Sequence, residues 1–206
     1  MKIVYIAGIS GFIGRHLEIS LNASGFVVRG IYRNDFMLTE EDFAKKISDA
    51  DIIINLAGSP IDGRWTNKYK ENLINSRILT TSKITNAIIN NPRKPELFIS
   101  ASATGIYNSE GIQDEFSPVS ANDFLKKLCI SWEAEAQKAA LYTNVAICRL
   151  GIVLSPKGGA LKKMLNLYKY VPATQMGNGN QIMSWIHLTD LLSAFILLFR
   201  IKKQAL

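Results

Sequence analysis

The sequence predicts an α/β fold built on one doubly wound parallel sheet, and three observations lead to this prediction. Short β-branched apolar runs alternate with stretches of helical periodicity along the chain. The runs are apolar almost throughout, which is typical of strands buried on both faces of a parallel sheet. Three glycines at three-residue spacing follow the first run. Right-handed crossovers then place the loops after the strands at one sheet edge, where ligands bind in such folds.

The first strand is predicted at Lys2–Ala7, and the glycines that follow it are Gly8, Gly11 and Gly14. A helical pattern comes next. Strand, glycine turn and helix together aim main-chain N–H groups and a helix N-terminus at a phosphate. Gly8 permits the tight turn, Gly11 lets a pyrophosphate approach the backbone, and Gly14 lets the helix pack closely on the strand. The arrangement predicts a dinucleotide site and a Rossmann-type fold; the alternative is a plain turn between strand and helix.

The second strand, predicted at Phe26–Tyr32, bears on the choice of cofactor. The residue after this strand normally faces the adenosine ribose, where an acid binds the 2′-OH and an arginine accommodates a 2′-phosphate. Arg33 therefore favours NADP. Asp35 is the competing choice, since an acid in contact with the ribose would favour NAD.

The third strand, predicted at Asp51–Leu56, ends in the tetrapeptide NLAG at positions 55–58. Its small residues let a cofactor lie across the edge of the sheet, although a mere turn would also explain Ala57 and Gly58. Before this strand a short helix is predicted at Thr39–Ser48, with Thr39 as its N-cap.

A long helix is predicted at Asn67–Asn90, and Arg77 lies on its apolar stripe. A charge there is costly unless it is paired. Two interpretations stay open: Arg77 extends to the rim of the protein, or it reaches the cofactor and its phosphates.

The fourth strand is predicted at Glu96–Ser100 and is followed by a hydroxyl-rich segment with Ser102, Thr104 and Tyr107. In this topology the segment lies beside the nicotinamide, where a proton-transferring group is needed. The remaining predicted elements are a helix from near Asn122 to Leu141, a strand at Val145–Leu150, a loop at Gly151–Pro156, a helix ending at Tyr168, a turn at Gly177–Gly179, a short strand at Met183–Ile186 and a helix at Leu188–Ile201.

Composition narrows the classes of function. The 206 residues are 48% hydrophobic and 20% charged, as in a globular protein, and suffice for one domain. The formal charge of +7 comes from dispersed Lys and Arg, so a solvated basic surface explains it better than a nucleic-acid site does. The apolar run Leu191–Phe199 is too short to span a bilayer, and the strand at the N-terminus leaves no room for a signal peptide.

The two cysteines, Cys129 and Cys148, lie in apolar patterns, and we expect reduced core thiols in a cytoplasmic protein. Two Cys and two His without ligand spacing do not support a metal site.

Seven segments carry a resemblance to a known family: AGISGFIGR, INLAGSPIDGRWT, SRILTTSKI, FISASATGIY, DFLKKLCISWEAEA, RLGIVLSPKGGALKKM and GNGNQIMSWIHLTDL. In this order they resemble the YfcH-like group of atypical extended short-chain dehydrogenases/reductases, in the NAD-dependent epimerase/dehydratase family. GRWT, SWEAEA and MSWIH are the specific parts. The resemblance implies a Rossmann fold, NADP as the cofactor and an epimerase-like or oxidoreductase activity.

The chain departs from the wider superfamily in its catalytic residues. Active members of that superfamily use a tyrosine with a lysine four residues later, which lowers the tyrosine pKa for proton transfer. Here Tyr107 is followed by Gly111, and the helix that usually carries the pair has Phe124 and Leu128. The YfcH-like group shares this lack. Ser102, Thr104 and Tyr107 remain as proton donors, although Tyr107 could equally serve in packing.

The second departure is length, because members of the group continue beyond the point where this chain stops. We therefore expect a dinucleotide-binding domain with a partial substrate lobe at about 151–206. Apolar surface left exposed on residues 159–199 would favour oligomers or low stability.

Two hypotheses of function follow: an NADP-dependent oxidoreductase or epimerase acting on a small carbonyl or nucleotide sugar, and a catalytically silent NADP-binding sensor or scaffold. Arg64 and His187 are the candidates to meet a substrate, the alternatives being a surface charge for Arg64 and a structural hydrogen bond for His187. Ser102 and Tyr107 are the catalytic candidates. The predicted cofactor-binding residues are Gly8, Ser10, Gly11, Phe12, Ile13, Gly14, Tyr32, Arg33, Asn34, Leu56, Ala57, Gly58, Arg77, Ser100 and Ala101.

Overall fold

The central sheet consists of five strands: β1 (Ile3–Ala7), β2 (Val27–Ile31), β3 (Ile52–Asn55), β4 (Leu97–Ala103) and β5 (Asn144–Leu150). In this computed structural model, which describes residues 1–108, 111–170 and 178–201, their order is β2-β1-β3-β4-β5. Strand β1 pairs in parallel with β2 and β3, and β3 with β4. The predicted α/β fold with a parallel, Rossmann-like sheet is confirmed. Because the strands run in parallel, their carboxyl ends share one edge.

Helices connect the strands at the predicted places: α1 (Phe12–Ala23), α2 (Glu40–Lys46), α3 (Asn67–Ile74), α4 (Thr80–Asn90) and α5 (Phe124–Gln137). Thr39 caps α2, since its side chain accepts a hydrogen bond from the Asp42 N–H at 3.1 Å. The core contains Phe43, Ile53 and Phe98, together with residues of α4 such as Ile84 and Ile88. The central strands β1, β3 and β4 are therefore buried on both faces, as predicted from their apolar sequences, whereas β2 and β5 at the two sides of the sheet are only partly buried.

Two local predictions were wrong, at β4 and at residues 152–154. Strand β4 runs three residues beyond Ser100, to Ala103, because the alternating Ser and Ala side chains are small enough to continue into the buried sheet. The segment predicted as a helix at Asn67–Asn90 is helical throughout, but a π-helical turn at Asn75–Leu79 joins α3 to α4, and the apolar period does not show it. Residues 152–154, predicted as loop, form strand β6, since they are a β-branched apolar run between Gly151 and Pro156.

The chain divides into two compact units, Met1–Arg149 and Leu150–Leu206. Within the second unit, β6 (Ile152–Leu154) pairs in parallel with β7 (Trp185–His187), and the helices are α6 (Gly159–Tyr168) and α7 (Leu188–Ile201). Leu191 and Phe195 of α7 are buried, whereas α6 has no buried residue. Leu167 of α6 is 57% exposed. The described part of residues 159–199 therefore exposes apolar surface. Part of the turn predicted at Gly177–Gly179 lies outside the described residues.

Candidate functional site

The glycine turn between β1 and α1 is shaped by close main-chain contacts. Gly8 has a φ of 81°, in the left-handed region that favours glycine. A Cβ at Gly8 would lie 2.7 Å from the Leu56 carbonyl oxygen, and one at Gly14 would lie 2.3 Å from the Gly8 carbonyl oxygen. Neither position can take a side chain without moving the backbone. The turn therefore presents main chain alone at this edge of the sheet.

The N-terminus of α1 is suited to an anion. Gly11 is its N-cap, and the first turn carries neither a side-chain cap nor an acidic residue. The first N–H groups of a helix lack partners within it and, with the helix dipole, attract negative charge. Ser10 and Gly11 are exposed at the tip of the turn, next to Phe12 and Ile13 of the helix. This main-chain cradle, which only glycines allow, fits a cofactor pyrophosphate.

Arg33 and Asp35, the two residues that the sequence offers for contact with a ribose, are placed differently after β2. Tyr32, Arg33 and Asn34 are exposed. The carboxylate of Asp35 instead accepts a hydrogen bond from the Tyr32 N–H at 2.7 Å and lies 3.3 Å from Lys46 Nζ. Asp35 thus closes its own turn, while Arg33 projects at the surface beside the strand end.

The NLAG turn after β3 lies directly beside the glycine turn. A Cβ at Gly8 would also lie 3.0 Å from the Ala57 nitrogen, so the two turns touch through their main chains. Asn55 is fully buried and accepts a hydrogen bond from the Ala57 N–H at 3.1 Å through its side-chain oxygen. Its side-chain NH₂ donates to Thr81 at 2.8 Å. These two bonds fix the turn that carries Leu56, Ala57 and Gly58.

Strand β4 brings buried hydroxyls to the same edge. Ser100 and Ala101 are buried inside the strand, and Ser102 is 3% exposed. The Ser102 hydroxyl donates to Glu133 Oε1 on α5 at 2.6 Å. Ser102 therefore lies within β4 and not after it, and its hydroxyl is bonded to a carboxylate that sequence reasoning missed.

Glu133 connects Ser102 to Tyr107 through a second residue that sequence reasoning missed, Arg149 at the end of β5. The Arg149 guanidinium donates twice to the Glu133 carboxylate, at 2.9 and 2.8 Å, and once to the Tyr107 oxygen at 2.8 Å. It also stacks on the Tyr107 ring, with Cζ 5.1 Å from the centroid. Both bonding partners raise the pKa of Arg149, the hydrogen bonds to Glu133 having the larger effect. The four side chains of Ser102, Glu133, Arg149 and Tyr107 form one hydrogen-bonded chain, hereafter the Arg149 network.

Phe124 has a packing role at the position where the superfamily has its tyrosine. Its ring meets the ring of Trp65 edge to face, with centroids 5.8 Å apart. Trp65 belongs to the GRWT loop, whose Gly63 N–H donates to the Tyr69 hydroxyl at 2.9 Å. Leu128, four residues later, stands at the position of the superfamily's lysine and is buried. In α5, Phe124 therefore packs against the GRWT loop, and Leu128 packs in the core.

The two residues predicted to meet substrate are placed differently. Arg64 is exposed in the GRWT loop of the first unit. His187 is exposed at the end of β7 in the second unit, and its Nδ1 accepts a hydrogen bond from the Thr189 N–H at 3.3 Å. That bond is the structural role considered for His187.

Arg77 lies on the π-helical turn and points toward the NLAG turn. Its Nη2 donates to the Ser59 carbonyl oxygen at 2.9 Å. A Cβ at Gly58 would lie 3.2 Å from Arg77 Cζ. Arg77 is thus turned inward along the sheet edge, beside the predicted cofactor site.

Both cysteines are free thiols. Burial raises the pKa of Cys148 to about 11, and burial is also the largest cause that raises the pKa of Cys129. Neither thiol is an exposed, reactive cysteine, because burial outweighs the Arg77 charge near Cys129 and is the cause of the raised pKa of Cys148. Within the described ranges, no group of three His, Cys, Asp or Glu is placed to hold a metal ion, and no helix is both long and apolar enough to cross a membrane.

Comparison with known proteins gives a consistent relationship. The model of the NAD dependent epimerase/dehydratase family matches residues 4–205. The chloroplastic epimerase family protein SDR39U1 homolog of Arabidopsis thaliana is 35% identical in an alignment 209 residues long, which covers 92% of this chain and 60% of the plant protein. The chain therefore spans three fifths of the length of this relative.

Solved structures agree with the fold. Human epimerase family protein SDR39U1 (isoform 2), crystallised with NADPH, is 28% identical with a TM-score of 0.81, over 92% of this chain and 67% of the human one. The UDP-glucuronic acid 4-epimerase of Bacillus cereus, in complex with UDP-glucuronic acid and NAD, is 20% identical with a TM-score of 0.78, over 94% of this chain and 72% of the bacterial one. The second likeness concerns the fold alone.

Proposed function

The chain belongs to the NAD-dependent epimerase/dehydratase family, and on that premise we propose that it is an NADP-binding, epimerase-like oxidoreductase of the short-chain dehydrogenase superfamily. The observation that carries the proposal is the main-chain cradle at Gly8, Gly11 and Gly14, in which two of the three glycines leave no room for a Cβ. The substrate class is a small carbonyl compound or a nucleotide sugar. A bound nicotinamide would supply hydride chemistry.

NADP is proposed over NAD because of the two residues after β2. Arg33 is exposed and suited to a 2′-phosphate, whereas the Asp35 carboxylate already accepts from the Tyr32 N–H and faces Lys46. The human relative was crystallised with NADPH. The NAD-bound bacterial structure shares too little sequence identity to bear on this choice.

Tyr107 is the proposed proton donor. Its oxygen accepts a hydrogen bond from Arg149, and its own O–H has no acceptor among the residues that the structure describes. That proton is therefore available to a substrate oxygen, and the guanidinium stabilises the negative charge left on the phenol oxygen. Glu133 holds Arg149 in place, and the Ser102 hydroxyl in turn holds Glu133. In this proposal an arginine from β5 takes the role that the superfamily gives to a lysine from α5.

Turnover tests this role. NADPH oxidation is followed across aldehydes, quinones and nucleotide sugars, for the wild type, for Tyr107→Phe and for a matched control, Tyr142→Phe, whose ring is exposed and packs on Lys94. We expect Tyr107→Phe to lower kcat by about 100-fold or more, as loss of a general acid does, with NADPH affinity unchanged. Equal turnover by all three proteins would remove Tyr107 from the mechanism.

A second candidate function is a silent NADP-binding sensor or scaffold. The observation that favours it is the pair Phe124 and Leu128, which pack the protein where proton-transferring residues stand in the superfamily. This candidate predicts tight NADPH binding with no oxidation of NADPH on any member of the substrate panel.

A further inference from the structure

Arg77 is a cation with no carboxylate beside it in the described part of the chain. Its guanidinium donates to the Ser59 carbonyl oxygen at 2.9 Å and, at 3.4 Å, to the Leu73 carbonyl oxygen. Its Cζ lies 5.3 Å from the centroid of the Trp132 ring. Among the residues that the structure describes, no ion pair includes Arg77. Neutral groups therefore surround a positive charge, and its Nε has no partner among these residues.

The surroundings of Arg77 are fixed in advance. The Trp132 indole N–H donates to Thr81 at 2.9 Å, on the same hydroxyl that accepts from Asn55. On the other side, the Ser59 N–H donates to Ser76 at 3.0 Å. The ring below the guanidinium is thus held independently of Arg77, and the turn beside it is held by the Ser59–Ser76 bond as well as by Arg77 itself. Such rigidity is what a binding site needs, because little is left to order when a ligand arrives.

Two arginines at this sheet edge differ in their charge balance. Arg149 is neutralised by the bidentate Glu133 carboxylate, and hydrogen bonding raises its pKa. Burial, the largest cause, lowers the pKa of Arg77, whereas the Cys129 and Tyr69 side chains act in the opposite direction. A partly buried cation without a counter-ion costs free energy of folding. A role in folding alone is better served by a neutral side chain at position 77.

We infer that Arg77 is an anion-binding residue, which takes a phosphate or carboxylate oxyanion of the ligand lying along the carboxyl ends of the strands. The inference rests on the proposed function for the identity of that ligand. The oxyanion comes either from the cofactor phosphates or from an acidic group of the substrate. A π-helical turn at this point agrees with a role in binding, since such turns recur at functional sites.

Two binding measurements distinguish these sources, using Arg77→Gln and, as a matched control, Arg93→Gln. Arg93 is exposed and pairs with Asp51, before the amino end of β3, at the opposite edge of the sheet. The first measurement is calorimetric titration with NADPH at constant ionic strength. The second is the melting temperature of NADPH-saturated protein in inorganic phosphate or acetate, against chloride at the same ionic strength.

A cofactor source predicts that Arg77→Gln weakens NADPH binding about 10- to 100-fold, as expected for a lost hydrogen bond to a charged group, while Arg93→Gln does not. If the oxyanion belongs to the substrate, Arg77→Gln should bind NADPH with unchanged affinity. Phosphate or acetate should then raise the melting temperature of the wild type and of Arg93→Gln, but not that of Arg77→Gln. Equality of Arg77→Gln and Arg93→Gln in both measurements overturns the inference.

The ligand-free melting temperature separates binding from folding. Arg77→Gln is expected to melt no lower than Arg93→Gln, because it removes an uncompensated charge. If Arg77→Gln does not fold, Arg77→Lys takes its place. Lysine keeps the positive charge but lacks the bidentate guanidinium, so we expect the affinity for the oxyanion to fall several-fold. Wild-type affinity of Arg77→Lys would overturn the inference. If no protein binds a nicotinamide nucleotide, the proposed function fails, and the phosphate and acetate measurement, made without NADPH, still tests Arg77.

Discussion

The two ends of the binding edge are built in different ways. At β1, the edge is made of main chain: glycines leave space, and a helix N-terminus offers N–H groups. At β4 and β5, it is made of side chains, since the Arg149 network joins residues from two strands, a helix and a turn. The first end is encoded locally in seven residues, whereas the second depends on tertiary contacts across 48 positions, from Ser102 to Arg149. The difference teaches that a local motif is enough to propose a cofactor site, whereas a proposal about the chemistry needs tertiary contacts.

The largest effect is expected from a substitution in the glycine turn, where the binding edge is made of main chain. Gly14→Ala places a methyl group 2.3 Å from the Gly8 carbonyl oxygen and 2.7 Å from Ile9 Cα. Because these are backbone atoms, α1 must move away from β1. We expect a loss of stability of about 3 kcal/mol, at the upper end for overpacking, and loss of NADPH binding. Chemical denaturation and calorimetric titration measure the two effects.

The control for this change lies at the other end of α1. A Cβ at Gly25 has nothing within 4 Å, although the φ of 85° makes a side chain unfavourable there. Gly25→Ala is therefore expected to cost about 1 kcal/mol and to leave NADPH affinity unchanged. If Gly14→Ala binds NADPH as tightly as Gly25→Ala does, the close packing at the glycine turn is not what forms the site.

The next largest effect is expected from a substitution in the Arg149 network, which leaves the glycine turn unchanged. Glu133→Gln removes the charge that balances Arg149, in a pair whose side chains are only 13% and 24% exposed. We expect a loss of stability of about 2–3 kcal/mol, because a mostly buried guanidinium is left without its counter-ion. Lys2→Gln, which breaks the exposed pair with Glu96, should cost under about 1 kcal/mol.

Glu133→Gln also sharpens the comparison, because NADPH affinity should stay at the wild-type value while stability falls. The same titration that reports on Gly14→Ala measures it. A parallel loss of NADPH affinity in Glu133→Gln would show that the two ends are one coupled site.

The same difference explains what the sequence could and could not predict. Strands β1 to β3 and helices α1 and α2 follow from apolar period and capping residues, which are local signals. The pairing of Glu133 with Arg149 has no such signal, since a helix and a strand 16 residues apart must first pack together. One clue was available: Glu133 follows Trp132, a buried residue, in the specific SWEAEA segment. A carboxylate that is itself drawn into a mostly buried position, as Glu133 is, needs a partner, and Arg149 is the last residue but one of the next strand.

The position of Arg77 was predictable, but its surroundings were not. Helical spacing placed the guanidinium on an apolar stripe and left two interpretations. Neither anticipated a π-helical turn that presents Arg77 to Gly58 and Ser59. Such a turn depends on one inserted residue, which the three- and four-residue recurrence of apolar side chains tolerates without a visible break.

The smallest expected effect tests selectivity at the end of β2, where a single exposed side chain supplements the main-chain cradle. Arg33→Asp replaces a cation suited to a 2′-phosphate with an anion that repels it. We expect NADPH affinity to fall about tenfold or more relative to NADH affinity, a modest effect because the site is exposed to solvent and salt. Lys45→Asp reverses the same charge at an exposed position of α2. It should change neither the NADPH affinity nor the ratio of NADPH to NADH affinity. Equal losses for both nucleotides in Arg33→Asp would mean that Arg33 does not touch the 2′-phosphate and that selection of the nucleotide must be sought elsewhere than in this side chain.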